Sequence, residues 1–269
     1  MRAVQAATEQ ALRRVNAVRY VLPLREGGSL PALVEADDLG TYVMKFRGAG
    51  QGPKALVAEV VVGELGRRLG LPVPELVVAV LDPDLAPAEP DQEVQDLLRA
   101  SVGDNLGMDY LPGSLGLDVA VDRIDPDLAA RVVWFDALVQ NVDRSWRNPN
   151  LLRWHGSVWL IDHGAALYFH HNWSRQSDPA TRPYPGAADH VLLPVAGPLS
   201  SAHEELAGLV TAQALADVVA LIPDGWLITD TAFASTAQAR QAYVDVLLAR
   251  AAAPDTWLDA VEVLRAARV

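Results

Sequence analysis

The sequence predicts an α+β fold in two lobes, a small antiparallel sheet within residues 1–111 and a mainly helical lobe over 112–269. Three observations predict it. Short β-rich runs separated by glycine turns fill the first part, apolar residues at helical spacing dominate from Pro126 onward, and Leu111-Pro112-Gly113-Ser114 breaks the pattern between them. The chain has 269 residues, and at ~100–200 residues per domain that allows one large domain or two lobes sharing a cleft. With 51% apolar and 21% charged residues it has globular composition and enough apolar side chains for a real core.

Along the chain, residues 2–17 read as a helix and Val18–Leu22 as a strand, with a glycine turn at Arg25–Ser29, a returning strand at Ala32–Glu35 and a turn at Asp37–Gly40. Thr41–Phe46 alternates, placing Tyr42, Met44 and Phe46 on one face and Thr41, Val43 and Lys45 on the other. A lone lysine therefore sits on an inward or cleft-facing row beside a valine. In residues 54–69 the apolar positions Val57, Val61, Leu65 and Leu69 recur every fourth residue, as a helix face requires; Gly70 ends it, with Pro72 beyond. Glu75–Leu81 reads as a buried strand, Asp82–Asp91 as a surface loop, 92–101 as a short helix and Asn105–Tyr110 as a strand. Leu128, Val132, Phe135 and Val139 then mark one helical stripe, and 202–222, 236–252 and 255–267 are further helices. Residues 165–200 are irregular and too long for a passive connector, which predicts a functional or mobile loop.

Charge and composition exclude several function classes. The formal charge is −12, and no stretch concentrates the Lys and Arg needed to neutralise a run of phosphates, so neither nucleic acid nor an anionic membrane is expected as a partner. The absence of cysteine removes disulfides, Cys-ligated zinc, iron–sulfur clusters and thiol nucleophiles, and fits a reducing compartment. No apolar h-region opens the chain and no run approaches the ~18 apolar residues of a membrane span, so a cytoplasmic location is expected.

The chemistry concentrates in Asn141–Asn150, Leu151–Trp154, His155-Gly156, Ser157–Ile161 and Asp162-His163-Gly164. A hairpin centred on His155-Gly156 sets Pro149 opposite Asp162, which lands Asn148 beside Asp162. Asp143, on the loop leaving a helix, reaches the same spot. Two carboxylates and one amide oxygen form a hard-oxygen set suited to Mg²⁺, with waters and phosphate oxygens completing the octahedron and one carboxylate left to act as a base.

This D-x-x-x-x-N, short hairpin, D-x-G order is similar to the catalytic core of protein-kinase-like phosphotransferases. The upstream parts of such a core stand in order: Gly27-Gly28-Ser29 in a turn between strands, Lys45 with Val43 two before it, Glu59 on the following helix, and a hinge containing Met108, Asp109, Tyr110 and Leu111. On Val43–Phe46, Ala58-Glu59, Leu69–Pro74, Asp143–Asn148 and Ile161–Gly164, over roughly residues 18–165, the sequence resembles the HipA-like kinases, a bacterial branch that is also similar to phosphatidylinositol kinases. The resemblance implies a bilobal protein-kinase-like fold, ATP with Mg²⁺, and phosphorylation of a Ser/Thr hydroxyl, often on a protein. It also leaves room for a separately encoded regulatory partner. By that match Lys45 pairs the ATP phosphates, Glu59 fixes Lys45, Asp143 is the base, Asn148 and Asp162 bind the metal, and Ser29 is a candidate for self-phosphorylation. Adenine is expected at the hinge backbone, against Val43. Asn141 departs from the histidine two before the Asp in ordinary protein kinases, and His163 from the Phe of D-F-G, so a Phe-flip mechanism does not transfer.

Each residue also has a plainer reading. Lys45 alone could be an edge-strand charge, Asp143 and Asp162 turn or cap residues, and Glu64 competes with Glu59 for the lysine. Asn150 is the rival amide, disfavoured as already inside the strand. Gly48–Gly52 lacks the glycine of a dinucleotide motif, since Pro53 stands there, and reads as a flexible loop at the cleft mouth. The scattered histidines lack an H-E-x-x-H, and Trp134 and Trp159 sit at core spacing. Two alternatives of other classes remain: an aminoglycoside-like or lipid-like small-molecule phosphotransferase, and a nucleotide-binding pseudokinase or scaffold.

Overall fold

The alternation read in the N-terminal part closes into a barrel. The computed structural model describes residues 11–24, 30–50, 52–88, 90–173 and 179–268. Strands β1 (Arg14–Pro23), β2 (Ala32–Ala36) and β3 (Thr41–Lys45) are followed by helix α1 (Gly52–Arg68), β4 (Leu76–Leu81), helix α2 (Gln92–Ala100) and β5 (Gly103–Asp109). They pair in the order β1-β2-β3-β5-β4, and β4 returns to β1. The joins are antiparallel as expected, except that β1 meets β4 in parallel, Arg14 opposite Val78 and Ala17 opposite Leu81.

That parallel join corrects the helix expected over residues 2–17. Arg14–Ala17 alternates exposed and buried residues as a strand does. Its partner lies more than sixty residues away, so nothing in the local sequence opposed the helix-forming Ala, Gln and Arg around it. Residues 1–10 lie outside the described residues.

Tyr42, Met44 and Phe46 fill the barrel with Val15, Val34 and Val77, while Val43 and Lys45 look outward toward α1, as the alternation predicted. Every residue of α1 from Leu56 to Gly63 is buried, because the helix lies between the barrel and the C-terminal helices. Its glycines permit the close approach: a Cβ on Gly63 would come 2.8 Å from Leu76 Cδ1, and one on Gly66 3.2 Å from Val73 Cγ2.

The C-terminal part carries β6 (Leu115–Gly116), α3 (Pro126–Val139), the hairpin β7 (Leu151–Trp154) and β8 (Ser157–Leu160), then α4 (Leu199–Leu206), α5 (Ala212–Ala220), α6 (Asp224–Leu227), α7 (Thr236–Ala252) and α8 (Leu258–Ala266). Helix α3 begins where Asp125 accepts the Asp127 N–H at 2.8 Å, with Pro126 at its first position. It is buried almost all round rather than along one stripe, so it forms the centre of this part. The helix expected over 202–222 is two helices, because Thr211 breaks the run and caps α5 by accepting the Ala214 N–H.

The expected mobile or functional loop over 165–200 is, in its described residues, a series of 3₁₀ turns in which Phe169, Tyr184, Val191, Leu192 and Leu193 enter the core. Trp134 is a core residue, but Trp159 is half-buried and stacks edge-on against Trp154 at 5.6 Å. No described helix is long and apolar enough to cross a membrane.

Candidate active site

Lys45 leaves the last position of β3 and is only 9% exposed. Its ammonium donates to Glu59 Oε1 on α1 and, at 2.6 Å, to Asp162 Oδ1, which follows β8. An ammonium buried among apolar groups is costly unless paired. Burial alone would lower the Lys45 pKa, but the Glu59 and Asp162 carboxylates reverse that and hold it above its ordinary value. Burial pushes the Glu59 carboxyl up against the opposing pull of Lys45. Asp162 resists burial and is held below the usual carboxylate range by Lys45. Glu64, the rival for the lysine, instead faces Arg67 at 3.6 Å.

A small cavity opens at the ion pair, lined by Lys45, Ala49, Gly52, Ala55, Glu59 and Gly164 among others. Ala49 and Gly52 therefore bring the glycine-rich run to the cavity wall. Gly164 permits α1 to approach the D-x-G segment, since a Cβ there would lie 3.2 Å from Glu59 Oε1.

The hairpin register is the one expected, with Leu151 opposite Leu160 and Trp154 opposite Ser157, and the Ile161 N–H donates to Asn150 O at 3.1 Å. The next step departs from it. Asp162 has φ +54°, so it leaves the ladder and turns to Lys45 instead of facing Pro149. Asn148 consequently meets a different carboxylate, donating from Nδ2 to Asp143 Oδ2 at 2.8 Å. Asn150 is not inside the strand but just ahead of it, at φ +50°, and its Nδ2 approaches the same Asp143 oxygen at 3.3 Å. The structure thus gathers Lys45, Glu59 and Asp162 in one cluster and Asp143, Asn148 and Asn150 in another.

Among the described residues no group of three or more His, Cys, Asp and Glu side chains could hold a metal. The carboxylate of Asp162 in the first cluster and the amide oxygen of Asn148 in the second, whose amide nitrogen donates to Asp143, are hard-oxygen donors of the kind Mg²⁺ takes together with phosphate and water.

Behind the Asp143 loop lies a buried network that the sequence reading missed. Arg144 donates to Asp136 Oδ2 and to Asn150 O, both at 2.5 Å, and approaches His163 Nδ1 at 3.3 Å. Asp136, on α3, also takes the Asn141 Nδ2 at 3.0 Å and faces His190 Nε2 at 3.1 Å. Burial opposes its charge, but Arg144 and His190 hold its pKa at about 2. The two departures from the ordinary kinase pattern, Asn141 and His163, are both members of this network. One signal was available: Asp136 interrupts the apolar run Val132-Val133-Trp134-Phe135-Asp136-Ala137-Leu138-Val139, and a carboxylate there must be paired.

The hinge residues fall where β5 ends. Val43 pairs with Met108, the Asp109 N–H donates to Glu75 O at 2.9 Å and the Tyr110 N–H to Thr41 O at 3.0 Å, and the chain continues to the buried Leu111. Burial, with Glu75 nearby, raises the Asp109 pKa. Gly27, Gly28 and Ser29 lie outside the described residues.

No curated protein sequence matches the chain. The chain is similar in structure to the proinflammatory kinase CtkA of Helicobacter pylori, with a TM-score of 0.49 and 13% identity, covering 90% of this chain and 97% of that one. The family model of HipA-like kinases matches residues 18–260. Family membership implies the use of ATP and the existence of a phosphate acceptor. On that match across nearly its whole length, the chain belongs to the HipA-like kinase family.

Proposed function

We propose that the chain is an ATP- and Mg²⁺-dependent kinase that transfers the γ-phosphate to a Ser or Thr hydroxyl of a protein, between lobes 1–111 and 112–269. The observation that carries this reading is Lys45 bonded at once to Glu59 on α1 and to Asp162 beyond the hairpin. A buried lysine shared by two carboxylates keeps its charge, and is set to meet the negative oxygens of a nucleotide. Glu59 keeps the ammonium in place while Asp162 exchanges it for those oxygens. Asp162 and Asn148 would hold Mg²⁺, which would supply positive charge to the phosphate oxygens.

Asp143 accepts a proton from, and orients, the acceptor hydroxyl. Its Oδ2 is fixed by the Asn148 and Asn150 amides, so the carboxylate is aimed before the acceptor arrives. The Asp109 and Tyr110 N–H groups are committed within the barrel, so the Leu111 N–H is the donor we assign to adenine, whose ring rests against Val43.

Arg147, exposed at the tip of the Asp143 loop with no ion pair, disfavours the cationic acceptor of an aminoglycoside-like enzyme. The intact Lys45, Asp143, Asn148 and Asp162 set disfavours a pseudokinase. The test is thermal unfolding with ATP and Mg²⁺. A ligand that binds only the folded state raises stability by about 2.7 kcal/mol at a hundred times its Kd, so an unchanged melting temperature at millimolar nucleotide refutes the reading. Label transfer from γ-labelled ATP to serine- and threonine-containing protein, and not to amino alcohols, is expected.

A further inference from the structure

Two side chains at the tip of the Asp143 loop hold neither nucleotide nor metal in the proposed transfer. Trp146 is 61% exposed. Arg147 is exposed beside it, with its guanidinium carbon 4.0 Å from the indole ring centre. The tip is rigidly held. The Ser145 N–H donates to Asn148 O at 3.1 Å and the Asn148 N–H to Ser145 O at 3.2 Å, closing a turn whose two central residues are Trp146 and Arg147. Buried Arg144 anchors the start of the turn, and Ser145 forms a bridge to His190. A large aromatic face is thus presented to water by ordered backbone, at the loop that carries Asp143 and Asn148.

Charge pairing makes the arginine unusual. The chain has 34 acidic residues against 22 Lys and Arg, and the described cations are taken up almost completely, for example Arg14 by Asp104, Arg68 by Asp217, Arg153 by Asp122 and Arg250 by backbone carbonyls. Among the described residues Arg147 and Arg123 alone have neither an ion pair nor a hydrogen bond. The guanidinium lies over the indole with no ion pair or hydrogen bond of its own, which leaves its N–H groups available to a carboxylate in bidentate fashion.

We infer that Trp146 and Arg147 form the acceptor-recognition element of this kinase, selecting a peptide with an acidic side chain close to its Ser or Thr and an apolar group that rests on the indole. The inference rests on the kinase reading. The nucleotide phosphates are an alternative source of negative charge for Arg147. They are disfavoured because Lys45 and Asp162 hold the phosphate position in the cavity, whereas the Trp146–Arg147 pair stands on the open surface.

A degenerate peptide library with a central Ser or Thr and acidic, neutral or basic flanks tests this, with the full chain as wild type, Arg147→Glu and Trp146→Ala. The wild type is expected to prefer acidic flanks. Arg147→Glu should lose about tenfold in kcat/KM on those peptides and gain on basic ones. Trp146→Ala should lose activity on all peptides through KM. In both variants the stabilisation by ATP and Mg²⁺ is read in parallel and should follow the wild type. Indifference of the wild type to flanking charge, or an unchanged preference in Arg147→Glu, overturns the inference. So does a loss in Arg147→Glu that appears in the KM for ATP, which would assign the arginine to the nucleotide. Absence of nucleotide stabilisation in the wild type overturns the kinase reading itself.

Discussion

Asp143 and Asp162 are both carboxylates at the ends of one hairpin, yet their surroundings assign them different work. Asp143 receives only neutral amide donors, from Asn148 and Asn150, so its charge is available to an incoming hydroxyl. Asp162 is tied to the Lys45 ammonium at 2.6 Å and shares that cation with Glu59. Replacing each by asparagine should therefore give different failures. Asp143→Asn is expected to keep the melting-temperature gain with ATP and Mg²⁺ while transfer falls by about 10²–10⁴-fold, the size of a general-base contribution. Asp162→Asn removes a charged partner of Lys45 and the carboxylate we propose for the metal, so nucleotide stabilisation and transfer should both fall. Measuring unfolding and label transfer on the two variants side by side checks this, and equal behaviour would void the assignment of roles.

At the scale of an element, the Asp143 loop is held by its own hydrogen bonds and, behind them, by buried charge, and that buried support has a pH signature. His163 is buried beside Arg144, and burial first, then that cation, lowers its pKa from 6.5 to about 3. Burial drives His170 the same way, well below its ordinary value. Both are neutral in the fold, whereas the unfolded chain takes up their protons near pH 6.5, so the unfolded state binds more protons in acid. Stability is complete above about pH 6.5 and falls as the pH drops below it; for His163 the fall continues toward its folded value of about 3, at about 1.4 kcal/mol per pH unit. Asp136 adds nothing until lower pH: its stabilisation is present above its unfolded value and is lost as pH falls toward about 2. Denaturant unfolding between pH 7 and 4 should show this early slope, and His163→Gln should reduce it by one proton's worth. A flat profile down to pH 4 would contradict it.

The same loop shows what the sequence could and could not tell. The place of Lys45 on a strand, of Glu59 on the following helix and of the hairpin turn at His155-Gly156 was legible because each is fixed by short-range pattern. The pairing of Leu151 with Leu160 followed from that turn alone. The local conformations at Asn150 and Asp162, both at positive φ, did not follow, and they decide which carboxylate Asn148 meets. Contacts between distant segments were invisible for a different reason. Asp136 to His190 spans 54 residues and β1 to β4 more than sixty, and neither leaves a periodic mark in either segment.

Across the whole molecule, the position of Glu59 depends on both parts of the chain, because α1 is packed between the barrel and the C-terminal helices and is also tethered at its start. Lys54, in the first turn of α1, donates to His170 O at 2.5 Å and to Asp230 Oδ2 at 3.0 Å. His170 belongs to the segment that follows Asp162-His163-Gly164. Asp230 also takes the Trp173 indole N–H at 3.1 Å, and Trp173 packs edge-on against Phe233 and Tyr243, each at 5.0 Å. One lysine therefore ties the helix that carries Glu59 to the segment beyond Asp162 and to the segment between α6 and α7. Lys54→Met takes the cation from a carboxylate that is only 13% exposed and leaves it neutral donors alone, and should cost about 1–3 kcal/mol. Asp230→Asn leaves the indole a neutral acceptor and should cost less. Because the two side chains share one contact, the double variant should be less destabilised than the sum of the singles, with a coupling of about 0.5–3 kcal/mol in denaturant unfolding. If the tether positions Glu59, Lys54→Met should also raise the KM for ATP, since the start of α1 lines the cavity at Gly52 and Ala55. Strict additivity with an unchanged KM would mean that α1 is placed by packing alone.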